Sequence, residues 1–308
     1  MRVTHDFRQA VVGKLIERRE IFVGTDKRFA TTWVIPQAVW STLKKRHADG
    51  STDYNGLLKD PKWIGLGRSL GVLTRTRKWN TVRTDVFETI EEDIKFCKQY
   101  SKARIFVDDC AIGKTYTAKY LAAQLPNTFY VDCSQCKTHP QFVRQLALAI
   151  GVDHKGPLLD VSDTIRYWLT SLERPIVILD EAGDLNVAAF LELKSLWNAT
   201  ENACGWYMMG ADGLRAKIDR GYNNKRLGYA EIFSRFSEKY STVVPVGKEA
   251  KKDFYQRIIT QVLRANMDDS QLKHLGEIVT KCVTHDSVGR FGGLRRAESL
   301  LILHSTND

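Results

Sequence analysis

The strongest constraint on the fold comes from residues 108–115, which read Asp-Asp-Cys-Ala-Ile-Gly-Lys-Thr. They follow an apolar run at residues 103–107 that favours a β-strand, and they lead into a stretch up to Leu125 with helical periodicity. The first turn of a helix in this position offers unpaired N–H groups and a partial positive charge to a phosphate. The segment therefore predicts a phosphate-binding loop between a strand and a helix of an α/β fold.

This loop follows the pattern G-x-x-x-x-G-K-[ST] except at its first position, where Asp108 replaces glycine. Lys114 is predicted to bridge the β- and γ-phosphates of ATP, and the Thr115 hydroxyl is predicted to bind Mg²⁺. A carboxylate at Asp108 would repel the triphosphate if it pointed inward, which would weaken nucleotide binding. The residues predicted to contact the nucleotide are Asp109, Cys110, Ala111, Ile112, Gly113, Lys114, Thr115 and Tyr116.

A second apolar run, residues 176–179, ends in two acids, Asp180 and Glu181. At the carboxyl edge of a parallel sheet the first acid can reach the Mg²⁺ ion and the second can polarise an attacking water. Taken alone, the segment could also be a buried strand with a polar end. In this order after the phosphate-binding loop, the pair predicts an ATP and Mg²⁺ site with Asp180 as a metal ligand and Glu181 as a catalytic residue.

Three charged residues further along the chain are also predicted to act on the nucleotide. Asp212 follows an apolar run and is placed near the γ-phosphate, the alternative being an ordinary turn acid. Arg235 is predicted to reach the γ-phosphate of a neighbouring subunit, the alternative being a surface arginine. Arg295 opens the last predicted helix, from which it could fold back onto the nucleotide.

Several short motifs together resemble the AAA+ ATPases of DNA transposition, the branch that contains the phage Mu B protein, TnsC and IstB. The resemblance covers about residues 79–300 and rests on Trp79 to Thr84, AIGKT, ILDEAGDL, MMGADGL, FSRF and GGLRRA. It implies ATP-dependent homo-oligomerisation on double-stranded DNA, as a ring or helical filament, contact with a transposase, and ATP hydrolysis that dissolves the assembly. Asp108 and Asp212 depart from the glycine and asparagine usual at these positions.

The alternation of apolar runs and helical stretches after residue 84 predicts a parallel sheet covered by helices on both faces. The expected fold class is α/β: a P-loop AAA+ parallel-sheet domain with a C-terminal helical lid and an N-terminal helix-turn-helix domain. The predicted domains are a helix-turn-helix domain at 1–64, a basic linker at 65–84, the AAA+ domain at 85–247 and the lid at 248–308.

The excess of positive charge is confined to the N-terminal quarter. Residues 1–84 hold 17 Lys and Arg against 7 Asp and Glu, whereas residues 85–308 hold 29 positively and 29 negatively charged residues. An excess of this sign attracts polyanions, so double-stranded DNA is the expected partner. A membrane surface or a purely solvated face would produce the same count.

Within this basic region, residues 25–46 are predicted to form two short helices joined at residues 34–36, with Pro36 in the first turn of the second helix. The residues predicted to pack between them are Ala30, Ile35, Trp40 and Leu43. The predicted DNA contacts are Gln37 and Ser41 in a groove, with Lys44, Lys45 and Arg46 on phosphates. The alternative is a small helical domain with a solvated basic face.

A second set of DNA contacts is predicted in the glycine-containing segment 215–226, interpreted as a loop. Several positive charges there suit contact with the DNA backbone without base reading, although they could equally form an oligomer interface. The residues are Lys217, Arg220, Lys225 and Arg226.

No signal peptide and no run of 18 apolar residues is visible in the sequence, so a cytoplasmic protein without membrane contact is expected. Cys133 and Cys136 form a single CxxC pair with His139 close by. Because a second pair is missing and the first follows a predicted strand, structural cysteines are favoured over a metal or redox site.

Two other functions remain open at this point. One is an AAA+ ATPase of replication-initiator or helicase-loader type, whose N-terminal domain would bind defined DNA sequences. The other is a DNA-binding regulator with a degenerate nucleotide site, for which Asp108 is the only hint.

Overall fold

The computed structural model describes residues 3–72, 79–284 and 291–306. Its N-terminal part, residues 3–72, is a helical unit that we call the head. The helices of the head are α1 (His5–Glu20), α2 (Asp26–Thr32), α3 (Gln37–Ala48) and α4 (Asp60–Ser69). Two fully buried tryptophans, Trp40 and Trp63, lie at the centre of the apolar core that these helices share.

The predicted pair of short helices is present as α2 and α3. Val34, in the turn between them, has φ +52°, the left-handed conformation that glycine most easily adopts. Its side chain is exposed, so the β-branched group meets no neighbour in the core. The four residues predicted to pack between the helices are all buried: Ala30, Ile35, Trp40 and Leu43. DNA binding by this pair stays a prediction.

Helix α4 extends beyond residue 64, where the linker is predicted to begin, and ends at Ser69. Gly65 and Gly67 suggested a linker because glycine lowers helix propensity by about 1 kcal/mol relative to alanine. The burial of Trp63 and Leu66 on one face of α4 outweighs this cost, since most helical stability in a protein comes from tertiary packing. Residues 73–78 of the predicted linker lie outside the described residues.

The body of the molecule is built on a parallel sheet with the strand order β2-β3-β4-β1-β5. The strands are β1 (Ala103–Val107), β2 (Thr128–Asp132), β3 (Ile176–Asp180), β4 (Gly205–Gly210) and β5 (Tyr240–Ser241). The helices of the body are α5 (Asp85–Tyr100), α6 (Lys114–Gln124), α7 (His139–Ile150), α8 (Leu158–Ser171), α9 (Val187–Ala199), α10 (Asp212–Asn223) and α11 (Tyr229–Arg235).

Both faces of the sheet are covered, which explains why the central strands β3 and β4 are nearly continuous apolar runs. Val177 and Leu179 of β3 point into one apolar cluster, which includes side chains of α7, α8 and α9. Ile176 and Ile178 point into the opposite cluster, which includes side chains of α5 and α6. The predicted parallel sheet with helices on both faces is therefore confirmed.

The C-terminal region is helical, as predicted, and we call it the lid. Its helices are α12 (Lys248–Arg264), α13 (Leu275–Val283) and α14 (Gly293–Thr306). Ile258, Ile278 and Leu301, one from each helix, are fully buried in the same apolar cluster as Ile178 of the sheet. The lid thus shares a core with the body. Residues 285–290 and 307–308 of the predicted lid lie outside the described residues.

Within the described ranges, no helix combines the length and apolar character needed to cross a membrane.

Candidate nucleotide site

The loop between β1 and α6 has the backbone of a phosphate-binding loop. Ala111 has φ +59° and Gly113 has φ +102°, and Gly113 is the N-cap of α6. Glycine adopts this conformation without a steric penalty, so the chain can turn sharply into the helix at this position. The N-terminus of α6 therefore stands at the carboxyl edge of the sheet, where backbone N–H groups can bind a phosphate.

Lys114 lies inside this loop rather than in solvent. Its side chain is 7% exposed, and its ammonium donates hydrogen bonds to the carbonyl oxygens of Asp108, at 2.7 Å, and of Asp109. Burial lowers the pKa of Lys114 below its usual value. A phosphate that enters the loop would meet this desolvated cation, which is the arrangement that a bridging lysine requires.

The Asp108 carboxylate points away from the loop interior. One oxygen accepts hydrogen bonds from the backbone N–H groups of Val243, at 2.6 Å, and Val244, at 2.9 Å, while the other accepts from Asp109 N–H at 2.8 Å. The side chain thus connects the end of β1 to the segment after β5. Because its oxygens are occupied by backbone donors, the inward repulsion considered from the sequence does not arise.

Asp180 and Glu181 follow β3 at the same edge of the sheet. Asp180 is almost fully buried, and its carboxylate accepts hydrogen bonds from the Tyr130 hydroxyl, at 2.9 Å, and from the Glu181 N–H, at 3.0 Å. Burial raises the pKa of Glu181, and the neighbouring charge of Asp180 raises it further, whereas Lys114 and Arg295 act in the opposite direction. Glu181 is therefore a carboxylate whose proton affinity is increased, as a general base requires.

A cavity of about 320 Å³ is lined by the phosphate-binding loop, by Glu181 and by residues of the lid. The polar residues on its wall include Lys114, Thr115, Glu181 and Arg295. The apolar residues on its wall include Trp79, Val82, Phe87, Val262 and Leu294. A pocket with an apolar section beside a phosphate-binding loop has the features needed for both the base and the phosphates of a nucleotide.

Part of this wall was not predicted from the sequence. Val262 of α12 and Glu298 of α14 line the cavity but are far apart in the chain. No local pattern marks them, because an apolar helix residue looks the same in a pocket as in the core, and a charged one looks the same in a pocket as on the surface. Trp79 was noted only through the family resemblance.

The lid contacts the phosphate-binding loop directly. The N–H of Leu294, in the first turn of α14, donates to the carbonyl oxygen of Ala111 at 2.8 Å. Asp109 was predicted to bind the nucleotide, but its carboxylate faces the lid instead. It forms an ion pair with Lys251 of α12 at 2.6 Å and accepts a hydrogen bond from the Tyr255 hydroxyl at 2.8 Å. Asp109 therefore links the loop to the lid.

Two of the predicted catalytic residues lie outside the nucleotide cavity. Asp212 is the exposed first residue of α10 and lines a neighbouring cavity with Asp109 and Lys251. Arg235, at the end of α11, lies over the ring of Trp197 at 5.1 Å in a separate surface cavity. Arg235 therefore lies outside the nucleotide cavity of its own chain. The sequence predicts that it acts at the nucleotide of a neighbouring subunit, and this stays a prediction.

The residues predicted to bind DNA on α3 differ in their availability. Gln37, Ser41 and Lys45 are exposed. Lys44 forms an ion pair with Asp26 at 2.6 Å, and Arg46 donates a hydrogen bond to the Asp53 carbonyl. These two cations would have to exchange their present partners to bind phosphates.

The segment 215–226 is not the predicted loop. It is the larger part of α10 followed by a turn, and Arg220, Lys225 and Arg226 are exposed there. Lys217 is different: it is half-buried, and its ammonium donates to the carbonyl oxygens of Gly183, at 2.9 Å, and Leu185. The sequence prediction that Lys217 contacts DNA is at odds with this geometry, because the ammonium is already bound inside the body.

Cys133 and Cys136 are both buried directly after β2. The hydrogen bond between them and burial raise the pKa of Cys133. His139 lies 3.5 Å from Glu192. These contacts suit thiols with a structural role, the interpretation favoured from the sequence.

Part of the chain is similar to a known protein family. Residues 110–218 match a family model described as AAA domain. A search of curated proteins finds no match to the chain. One similar solved structure is a DNA replication initiation factor, with 12% identity and a TM-score of 0.44 over 74% of this chain and 63% of that one. Another is NtrX from Brucella abortus in complex with ATP, with 14% identity and a TM-score of 0.44 over 87% of this chain and 65% of that one.

The chain thus spans less than two thirds of the length of either of these structures. The matched family segment contains the phosphate-binding loop from Cys110 onward and the acidic end of β3. The five-stranded parallel sheet, the P-loop and the helical lid define an AAA+ P-loop fold. Within it, residues 110–218 are similar to the AAA domain family.

Proposed function

We propose that this protein binds and hydrolyses ATP and assembles on double-stranded DNA. ATP binding and hydrolysis are supported above all by one observation: the P-loop, Glu181 and Arg295 of the lid line the same cavity. An AAA+ fold implies a nucleotide, and the buried ammonium of Lys114 with the N-terminus of α6 supplies the positive charge that a triphosphate needs. The apolar section of the cavity suits the base.

The residues around the P-loop also fit a Mg²⁺ ion. Thr115 offers a hydroxyl and Asp180 a buried carboxylate, and oxygen atoms of these kinds are the ligands that Mg²⁺ prefers. When bound, Mg²⁺ would neutralise charge on the β- and γ-phosphates. Tyr130 holds the Asp180 carboxylate through its hydroxyl, which orients the remaining lone pairs.

Hydrolysis then depends on two groups of the protein. Glu181, with its raised pKa, accepts the proton of a water that attacks the γ-phosphate. Arg235 of a neighbouring subunit stabilises the negative charge that develops during transfer. Because Arg235 lines a surface cavity apart from the nucleotide cavity of its own chain, this arrangement is complete only in an oligomer.

DNA binding is supported by the distribution of charge. All of the formal excess of positive charge lies in residues 1–84, and α3 exposes Gln37, Ser41 and Lys45. Arg220, Lys225 and Arg226 add a second exposed basic group at the end of α10. Phosphate contacts of this kind provide affinity without base reading. Recruitment or stimulation of a transposase, as in target selection, rests on the family resemblance of the sequence.

The first experiment is the size of the particles formed on double-stranded DNA, measured by light scattering or electron microscopy with ATP, with ADP and without nucleotide. We expect large ordered assemblies with ATP only, and none with Lys114→Ala under any condition. Small complexes that form equally in all three conditions would contradict the proposal and favour a DNA-binding regulator.

The replication-initiator or helicase-loader alternative is tested by DNA competition. Its head would read defined sequences through exposed residues such as Gln37 and Ser41. Binding that falls steeply with salt and is competed equally by unrelated duplexes supports the transposition ATPase. A preference of 10³-fold or more for one duplex would favour the initiator.

A further inference from the structure

Lys217 holds the chain directly after the proposed catalytic glutamate. Its ammonium donates to the carbonyl oxygens of Gly183, at 2.9 Å, and of Leu185. These carbonyls belong to the short 3-10 helix Ala182–Asp184 and its C-cap, which begin one residue after Glu181. The ammonium also lies 5.1 Å from the centre of the Phe190 ring. One half-buried cation thus binds two acceptors of the same turn.

Helix α10 and this turn are packed backbone to backbone. A Cβ atom at Gly183 would lie 3.2 Å from the backbone nitrogen and Cα of Leu214, which is closer than an ordinary van der Waals contact, so the turn and α10 are in close contact here. A Cβ atom at Gly210, the last residue of β4, would lie 2.8 Å from the Leu214 side chain. The turn after Glu181 is therefore packed on α10, which in turn is packed on the end of β4.

Glu181 needs such support because its own backbone is strained. It has φ +51°, a left-handed conformation that is unfavourable for a residue with a Cβ atom. A strained residue keeps its conformation only when its surroundings hold it there. On the N-terminal side Glu181 is held by the hydrogen bond from its N–H to the Asp180 carboxylate, at 3.0 Å. On the C-terminal side the turn bound by Lys217 follows at once.

We infer that Lys217 is a positioning residue for Glu181, which fixes the turn that follows the glutamate and so aims its carboxylate at the attacking water. This inference rests on the proposed ATP hydrolysis. Lys217 does not line the nucleotide cavity, so its effect on the reaction passes through the turn. Loss of the ammonium should therefore slow the chemical step without weakening nucleotide binding.

The matched control is Lys137. It forms an ion pair with Asp184 of the same turn at 2.9 Å, but both side chains are largely exposed. Exposed pairs of this kind contribute little, so Lys137→Met should change the rate of hydrolysis by less than about twofold. Lys217→Met keeps an unbranched side chain near the Phe190 ring and removes only the cation and its hydrogen bonds.

The experiment measures kcat and KM for ATP hydrolysis, together with the Kd of a fluorescent ADP analogue, in both variants. For Lys217→Met we expect kcat to fall about tenfold or more, with KM and Kd within about twofold of the unchanged protein. A rise in KM or Kd with kcat unchanged would overturn the inference. If Lys217→Met does not fold, Lys217→Arg is used in its place, because it keeps the charge but moves the hydrogen-bond donors. The same result is expected of it: a lower kcat with KM nearly unchanged.

A double-mutant cycle separates this inference from the proposed function. Single-turnover hydrolysis is measured in Glu181→Gln with and without Lys217→Met. Because a positioning residue acts only through the group that it positions, the second change should have no further effect. An equal slowing by Lys217→Met in both backgrounds would overturn the inference. Hydrolysis by Glu181→Gln at the full rate would instead contradict the proposed role of Glu181.

Discussion

The guanidinium of Arg28, in the head, donates a hydrogen bond to the carbonyl oxygen of Ile150, in the body, at 2.9 Å. Arg28 is only 5% exposed and also lies 4.4 Å from the centre of the Trp168 ring. Ile150 is the last residue of α7, where the helix dipole favours a cation. The head is therefore held on the body by a buried contact.

Gly151 tests this contact. A Cβ atom there would lie 2.5 Å from the Thr32 hydroxyl oxygen and 2.7 Å from the Arg28 carbonyl oxygen of the head. Gly156→Ala is the matched control, because Gly156 also has a positive φ, +91° against +82°, but has no atom within 4 Å of its Cβ position. Both alanines should lose about 1 kcal/mol of unfolding free energy through backbone strain.

Gly151→Ala should lose about 1–3 kcal/mol more in urea unfolding, through the clash with α2, and the amides of α2 should exchange faster with solvent. If the two variants are equally stable and α2 remains equally protected, the head does not pack on α7 as described.

The Asp108 carboxylate offers a second test, because its two possible orientations predict opposite effects of Asp108→Asn on ATP affinity. An inward carboxylate would repel the triphosphate, so its removal would tighten binding. In the structure the carboxylate accepts three backbone N–H groups, and an amide would turn a donor toward at least one of them. We therefore expect an unchanged Kd for ATP and a loss of about 1–3 kcal/mol in unfolding free energy.

Titration with ATP measures the Kd, and urea denaturation of the same protein preparation measures the unfolding free energy. Tighter ATP binding by Asp108→Asn at unchanged stability would show that the carboxylate faces the nucleotide.

Asp108 and Lys114 differ in how far their roles could be predicted from the sequence. The role of Lys114 in phosphate binding could be predicted, because the residues next to it in the chain form a phosphate-binding motif. The orientation of Asp108 could not, since it depends on Val243 and Val244, more than a hundred residues away. The assignment of Lys217 to DNA fails for a similar reason: the sequence shows that a lysine is present, but only tertiary packing shows that its ammonium is bound by two carbonyl oxygens of the body.

The sheet and lid were more predictable than the head. Residues 176–179 of β3, around Ile178, are apolar without interruption, and a short run of this kind between helical stretches indicates a buried strand of a parallel sheet. In the head, Gly65 and Gly67 suggested a linker, whereas the burial of Trp63 keeps the segment helical. Helix propensity alone gave the wrong prediction for this segment, because the packing of one large side chain stabilises the helix.

The raised pKa of Glu181 predicts a pH dependence. The carboxylate form is the active base, so hydrolysis should rise with pH as Glu181 loses its proton. Because burial and Asp180 raise the pKa of Glu181 in the free protein above its ordinary value of 4.5, the acid limb of kcat/KM, which reports the free enzyme, should have its midpoint above pH 4.5. Measurement of kcat/KM for ATP hydrolysis between pH 4 and 8 tests this expectation. The residual activity of Glu181→Gln should lack this limb, and a limb that persists in the variant would assign the titration to another group.

Arg235 leads to the last prediction, which concerns the oligomer. Arg235→Ala should abolish hydrolysis but leave ATP binding intact, because the residue lines a surface cavity apart from its own nucleotide cavity. Lys114→Ala should be inactive for the opposite reason, since it cannot bind the phosphates.

Mixing the two inactive proteins should restore hydrolysis, because the intact P-loop of one subunit can then meet the intact Arg235 of the other. Phosphate release from a titration of one variant into the other measures the effect. The control replaces Lys114→Ala by a chain that carries both substitutions, which provides no arginine and should restore nothing. Full activity of Arg235→Ala alone, or mixtures as inactive as their components, would show that Arg235 does not act across a subunit boundary.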